Sequence, residues 1–389
     1  MVSNTKRCLD ATTERVLQEL CLHKEVSLEV VGERLGMTTS RLEEMFADFQ
    51  RSGLLLAGSH AGRYLLNGEL GYIVAVDMGA TNVRYLVANL NGKILSTAKE
   101  KVTNATGPGG TIEQVRRKVG ELVAATGIPA GLRGIAIGVP SAVHPHSGVL
   151  VSANNLPGWS MVDMAPALKQ EFGVALLLDN DCNMAAIGEH WRGCAVNVDD
   201  FIFIAIGTGI GSGIFVGGKL CQGRTGSAGE IYLMNVDWRL WNETFADTGH
   251  LESYVSGVGI AEQGRKAGLL PKLSGPAVHN DDRDSRRVFA AMLRGDARAC
   301  KVIQEIFTVL GVGIANMTSV LDPELIVLNG GITKGDPNLL LEIVNKVVRR
   351  IHADPPLIRF SALADRAQIY GAMWAGLNLA YQNILQNSE

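Results

Sequence analysis

The chain has 389 residues, with 36 Lys+Arg against 39 Asp+Glu for a net charge of −3, 47% hydrophobic and 19% charged residues, and 45 glycines. That length allows two or three domains with a large core, and the composition excludes a collagenous or disordered chain. No run of about 18 unbroken apolar residues occurs, because glycines interrupt Phe201 to Val216, so no membrane span or membrane partner is expected. The opening segment Met1–Arg7 lacks the apolar core of a secretory signal. Six cysteines are scattered without a CxxC pair, so a reduced, cytoplasmic protein is expected, with no thiolate zinc site.

Residues 1–70 have the texture of a small helical module. Val16, Leu17 and Leu20 mark one amphipathic helix, Leu28, Val31 and Leu35 a second, and Leu42, Met45, Phe46 and Phe49 a third. Ser27 is placed to cap the second helix and Gly36 to close it. Thr38, Thr39 and Ser40 are candidate caps for the third, with Ser40 and Glu43 at capping-box spacing. A turn of three or four residues between two helices is the spacing of a helix-turn-helix. Leu54–Leu56, a polar tip over 58–62, and Arg63–Leu66 then read as the wing of a winged helix.

Thr38, Thr39, Ser40 and Arg41 at the start of the third helix are suited to base edges and phosphates, and Arg63 in the wing to a minor groove. Charge opposes this reading, since residues 1–70 hold 8 Lys+Arg against 10 Asp+Glu. Phosphate contacts supply most DNA affinity, so a net acidic module needs dimerisation to bind well. A helical docking domain is the alternative.

From Gly71 onward short β-branched runs alternate with glycines. Tyr72–Asp77 predicts a buried strand leading into the turn Met78–Thr81. Val83–Asn89 is the next strand, and the Asn91-Gly92 turn leads into Lys93–Lys101. A helix follows around Ile112–Ala125, then a strand over Gly134–Val139. The opening recurs: Phe201–Ile206 is a strand, Gly207–Gly211 a glycine turn, Ser212–Val216 a strand, and Gly217-Gly218-Lys219 a hairpin turn. Gly79 and Gly92 are 13 residues apart, Gly207 and Gly218 11. Two such turns in one chain suit backbone N–H groups that cradle a polyphosphate; each alone is only a tight hairpin.

Asp179-Asn180-Asp181 closes the strand Val174–Leu178 ahead of a helix, where α/β sheets place ligands. One of these carboxylates is suited to take a proton from an attacking hydroxyl, or simply caps the helix. Asn154 and Asn155 lie in a polar loop ending at Trp159, Glu230 follows Ala228-Gly229, and Glu252 follows His250. The strand Leu325–Leu328 runs through Asn329 into Gly330-Gly331, a turn that lets a flat ligand approach the backbone.

Taken in order, these segments resemble the ROK family (repressors, open reading frames and sugar kinases) of the actin-like ATPase superfamily. Asp77–Asn82 looks like its first phosphate motif and Gly207–Gly211 its second, and Asn155–Trp159, Asn180-Asp181, Ala228–Glu230 and Leu328–Gly331 match as well. The resemblance implies a winged helix-turn-helix over 1–70 and a two-lobed, RNase H-like α/β domain over 71–389. Lobe one would span about 71–190 plus a C-terminal helix at 364–385, and lobe two about 191–363.

By that resemblance Asp181 is the general base if the chain is active, and Asn155, Asn180, Asp181, Glu230 and Glu252 contact sugar. Gly79, Thr81, Gly207, Thr208, Gly209, Gly330 and Gly331 hold nucleotide. The implied function is a sugar-responsive transcriptional regulator, expected to be a repressor, that binds a carbohydrate or sugar phosphate between the lobes and a DNA operator as a homodimer or larger oligomer. The alternatives are a kinase using Mg-ATP on a hexose or N-acetylhexosamine, and a scaffold without either activity. The family's zinc-ligating His aligns with Leu233 and its cysteine segment with Glu243–His250, so zinc is not expected. Trp238, Trp241 and Phe245 are expected to hold that loop by apolar packing instead.

Overall fold

The computed structural model describes residues 9–79, 81–102, 107–128, 131–152, 158–243, 248–272 and 282–387. The chain begins with α1 (Ala11–Leu22), β1 (Val26–Ser27), α2 (Leu28–Leu35), α3 (Thr39–Arg51), β2 (Leu55–Ala57) and β3 (Arg63–Leu66). Asp10 caps α1 by accepting from the Thr13 N–H at 3.0 Å. Ser27 caps α2, and Gly36 ends it in the left-handed region at φ 64°. Helix α3 starts two residues earlier than a Ser40–Glu43 box requires. Thr38 is its N-cap and makes no side-chain cap bond, so that box does not form, and Thr38, Thr39, Ser40 and Arg41 are all exposed. Strands β1, β3 and β2 pair in that order as the wing sheet.

The first sheet-bearing segment contains β4 (Tyr72–Met78), β5 (Asn82–Asn89), β6 (Ile94–Lys101), α4 (Gly107–Thr126), β7 (Leu132–Val139), β8 (Ala142–Val143), β9 (Leu150–Ser152), α5 (Ala165–Phe172), β10 (Ala175–Asn180) and α6 (Asp181–Arg192). The second contains β11 (Phe201–Ile206), β12 (Ile210–Val216), β13 (Lys219–Leu220), α7 (Glu252–Val255), α8 (Gly257–Lys266), α9 (Asp282–Leu293), α10 (Ala297–Leu321), β14 (Leu325–Asn329), α11 (Pro337–Ile351) and β15 (Leu357–Phe360); α12 (Ala367–Gln386) ends the chain.

Two compact units result, Met1–Arg192 with Arg366–Glu389, and Gly193–Asp365. Their sheets repeat one plan. In the first the order is β10-β7-β4-β5-β6, with β10, β7 and β4 parallel and β5 and β6 antiparallel. In the second it is β13-β12-β11-β14-β15, with β11, β14 and β15 parallel. The repeat legible in two hairpins therefore extends to whole five-stranded sheets.

Alternation along β4 splits the first unit's core into two layers. Tyr72, Val74 and Val76 pack with Val115, Val119 and Leu168 of α4 and α5. Ile73 and Ala75 face the other way, into a cluster with α6, α12 and the winged helix: Val16, Leu17, Leu20, Phe46, Trp191, Trp374 and Tyr381 share it. The winged helix thus shares a core with the sheet behind it.

In the second unit Ile202, Ile204, Ile326 and Leu328 pack against α10, whose Phe307, Leu310 and Ile314 are fully buried. By length and composition alone α10 is apolar enough to cross a bilayer, but here it is the core helix of this unit. Gly311 lies where an added Cβ would meet Val347 of α11 at 2.8 Å, and one at Gly313 would meet Leu251 at 3.4 Å, so both glycines of α10 serve packing inside this unit.

Candidate functional site

In the first unit, the C-terminal ends of three parallel strands converge on acidic and amide side chains. Register pairs Asp77 with Gly138, and Gly138 with Asp179, while Asp181 opens α6 immediately afterwards. Asn180 is fixed from two sides: its Nδ2 donates to Ser141 O at 3.2 Å, and its Oδ1 accepts from the Cys182 N–H at 2.8 Å. Buried Asp179 accepts from the Asn180 N–H and from Asn183 Nδ2, both at 2.7 Å, which braces the same turn.

Two carboxyls in this unit are displaced from the ordinary range. Burial pushes Asp77 up to about 7, against the pull of Arg84 at 3.5 Å and with the help of the Asp181 charge. Burial also pushes Asp181 up to about 6, opposed by the Cys182 N–H it accepts at 2.8 Å. Burial is the larger cause in both cases, and only Asp77 is pushed further up by its neighbour's charge. A group that titrates near neutrality and opens a helix can accept a hydrogen bond or a proton from a sugar hydroxyl. Asp77 was not among the residues singled out as site members, although its position at the end of a buried strand is a legible signal. Gly79 begins the turn that follows, its N–H donating to Asn82 O at 2.9 Å, and Thr81 is exposed beside it. Asn155 lies outside the described residues.

The second unit gathers its glycines the same way. Gly207, Thr208 and Gly209 link β11 to β12, and a Cβ added at Gly207 would meet nothing. The N-terminus of α8 abuts this turn, the Gly257 N–H donating to Gly207 O at 2.8 Å. An open glycine turn beside a helix N-terminus is hospitable to phosphate. Gly330, at φ 103°, follows the neighbouring parallel strand so closely that a Cβ there would overlap Ile206 O. Exposed Gly331 has open space.

Buried Glu252 accepts from the Ile210 N–H at 2.9 Å, so its carboxylate holds the glycine turn. Glu230 is half-buried next to Gly229, whose carbonyl accepts from Ser212 Oγ at 2.8 Å.

The segment that follows corrects one expectation. Trp238 and Trp241 are 81% and 78% exposed, so neither packs the loop that replaces the cysteine segment; Phe245 lies outside the described residues. The loop is held from within. Buried His250 accepts from the Val236 N–H at 3.1 Å, and the Leu251 N–H donates to Met234 O at 3.1 Å. A ring nitrogen committed to a backbone N–H, together with Leu233 59% exposed at the position expected for a His ligand, does not fit a zinc site. No cluster of three metal-ligating groups forms among the described residues.

On the winged helix, Arg41 pairs with Glu44 at 3.2 Å and Arg51 with Asp48, so two basic groups of α3 are answered by acids of the same helix. Arg63 is exposed at the start of β3.

Two α/β units of one plan, each ending its parallel strands at a glycine turn or a carboxylate cluster, with a winged helix in front, define a regulator built on an actin-like sugar-kinase fold. The chain belongs to the ROK family, whose family model matches residues 73–377. It is 27% identical to the xylose repressor of Caldicellulosiruptor bescii, over 79% of this chain and 78% of that protein. A crystal structure of a ROK family transcriptional regulator, a homologue of the E. coli MLC protein, superposes with a TM-score of 0.77 at 19% identity and covers 97% of this chain and 98% of that one. The ROK family glucokinase of Streptomyces griseus, in complex with glucose and AMPPNP, superposes at 0.61 with 26% identity over 79% of this chain and 99% of the enzyme.

Proposed function

We infer that this chain is a sugar-responsive, DNA-binding transcriptional regulator, a repressor that works in the cytoplasm as a homodimer. The observation that carries this reading is the winged helix itself: it shares a core with the unit that bears Asp181, and it presents Thr38, Thr39, Ser40 and Arg41 outward. Those four residues would enter the major groove and Arg63 would follow the backbone or minor groove. Because Arg41 is already paired, each module contributes little phosphate neutralisation, and two modules on two half-sites supply the affinity.

The sugar contacts are Asn180 and Asp181, with Asn155 and Glu230 as further contacts, while Glu252 acts by holding the glycine turn. A pentose or hexose is the expected ligand, xylose and glucose being the sugars of the relatives. Repression is relieved by differential sugar affinity for two states of the protein. Nucleotide, if bound, is held through Gly79 and Thr81 and through Gly207, Thr208, Gly209, Gly330 and Gly331. Mg-ATP would supply a transferable phosphoryl group there.

The first experiment is an electrophoretic mobility shift with DNA from upstream of the chain's own gene, with and without D-xylose or D-glucose. Binding that either sugar weakens supports the reading; no specific binding under any condition sinks it. ATP turnover over a panel of hexoses and N-acetylhexosamines, with Asp181→Asn in parallel, tests the kinase alternative. That alternative is favoured by the Asp181 carboxyl, which titrates at about 6 where a general base is useful.

A further inference from the structure

Resting on that regulatory reading, we propose that α6, clamped to α12, is the lever that reports the state of the Asp181 site to the winged helix, and that Arg192 and the Trp374–Glu14 hydrogen bond are its positioning contacts. Helix α6 has the proposed sugar carboxylate at one end and the DNA-reading module at the other. Asp181 is its first residue. Arg192 is its last, and its Nη2 donates to Cys21 O, in the last turn of α1, at 3.4 Å. Twelve residues at about 1.5 Å each make a rigid rod of about 18 Å, short enough to move as one body.

Helix α12 ties this rod to α1 at a second point. A Cβ at Gly371 would overlap Met184 O, and one at Gly188 would overlap Ala367 O. The two helices therefore meet backbone to backbone, and neither can slide without unpacking the other. From this clamp Trp374 lies against Trp191, the ring centroids 5.1 Å apart and the planes tilted by 33°, and donates its indole N–H to Glu14 Oε1 at 3.0 Å. Burial raises the Glu14 carboxyl above its usual range, opposed by hydrogen bonds from Trp374 and from Asn378 one turn further along α12. Two turns beyond Trp374, Tyr381 donates to Leu90 O at 2.6 Å and contacts Cys21 Sγ at 3.9 Å, while the Arg192 guanidinium lies 3.9 Å over the Trp191 ring. Helix α1 is thus gripped at Glu14 by α12, and at Cys21 by both α12 and α6, the helix that opens with Asp181. A closely packed pair has discrete arrangements rather than a continuum, so a small tilt of α6 becomes a reorientation of α1.

The test uses the full chain and three readouts: D-xylose or D-glucose affinity, DNA affinity without sugar, and the change in DNA affinity on adding sugar. Allosteric couplings are commonly about 5–150-fold. Trp374→Phe and Glu14→Leu each remove one side of the tie. The expected result is sugar affinity and sugar-free DNA affinity within about twofold of the parent, with the sugar effect on DNA reduced to under about threefold. Glu14→Gln, which keeps the acceptor, is expected to restore it. Hydrogen exchange adds a direct reading: sugar changes protection of α1 amides in the parent and not in Trp374→Phe. Variants that keep the full sugar response, or a Glu14→Gln as uncoupled as Glu14→Leu, overturn the lever. A parent protein that binds DNA without any sugar response overturns the regulatory reading instead.

Discussion

Asp77 is buried with its carboxyl near 7, so it makes a stability prediction with a definite sign. An unfolded Asp titrates near 3.8 and the folded one at about 7, so the folded state holds the extra proton. The stabilising contribution is complete below about pH 4 and is lost as pH rises through 7. Each unit of displacement is worth about 1.4 kcal/mol, which puts the full swing on the order of 4 kcal/mol. Burial is the largest cause of that displacement and the Asp181 charge the smallest, so removing the Asp77 charge recovers at least about 2 kcal/mol. For a unit of some 200 residues that is a Tm gain of about 4–8 °C. Asp77→Asn keeps the shape and an acceptor for Arg84, which is partly exposed and retains water when the charge is gone. Differential scanning calorimetry at pH 5, 6, 7 and 8, without sugar or nucleotide, is the assay. The excess Tm of the variant over the parent is expected to grow steadily from pH 5 to pH 7 and to level off by pH 8. Equal Tm values at pH 8, or a variant less stable at every pH, would refute the argument that an ionised Asp77 is what the fold tolerates poorly.

Three further outcomes follow from single contacts. Gly330→Ala places a Cβ against Ile206 O in a backbone region that L side chains avoid, so the second unit is expected to lose about 2–4 kcal/mol by urea titration. Glu252→Ala leaves the buried Ile210 N–H without its carboxylate. A loss of about 1–3 kcal/mol is expected, together with faster hydrogen exchange confined to the glycine turn. Glu44→Gln frees Arg41 from its intrahelical pair, and DNA binding is expected to tighten by a few fold, the slope of log K against log salt steepening by about 0.9 per added phosphate contact.

How much of this was legible before any coordinates depends on how local the determining contacts are. Helix α2 was readable at both ends because Ser27 and Gly36 do their work within three residues of the helix they bound. The duplicated hairpins were readable because the demand for glycine at a turn is written in adjacent positions, and the wing because its polar tip separates two short apolar runs. The cap of α3 was legible only as a choice among Thr38, Thr39 and Ser40: three consecutive hydroxyl side chains compete, the Ser40–Glu43 box does not form, and the backbone bond from the Leu42 N–H to Thr38 O selects the first.

The tryptophans failed for a different reason. An aromatic cluster in a segment that had lost its metal ligands invited an apolar replacement, whereas one imidazole nitrogen and two main-chain bonds suffice to hold the loop, leaving Trp238 and Trp241 outside.

The joint between the winged helix and the first α/β unit was the least legible feature. Glu14 and Trp374 are 360 positions apart, and neither carries a pattern that points to the other. Considered alone, Trp374 is an apolar residue at helical spacing in a helix expected to be core, and Glu14 is a first-turn acid suited to the dipole of α1. Only the return of α12 across the first sheet makes them partners. A repeat announces itself through periodicity, but the contact that couples two modules leaves no period. If the winged helix were a passive tether, it would need neither a half-buried, hydrogen-bonded carboxylate nor a backbone-to-backbone helix clamp behind it. Desolvating Glu14 is unfavourable and is offset by hydrogen bonds from Trp374 and Asn378 of α12, so the joint favours one docked orientation of α1 over an ensemble of loose ones. A docked orientation is what a ligand can bias.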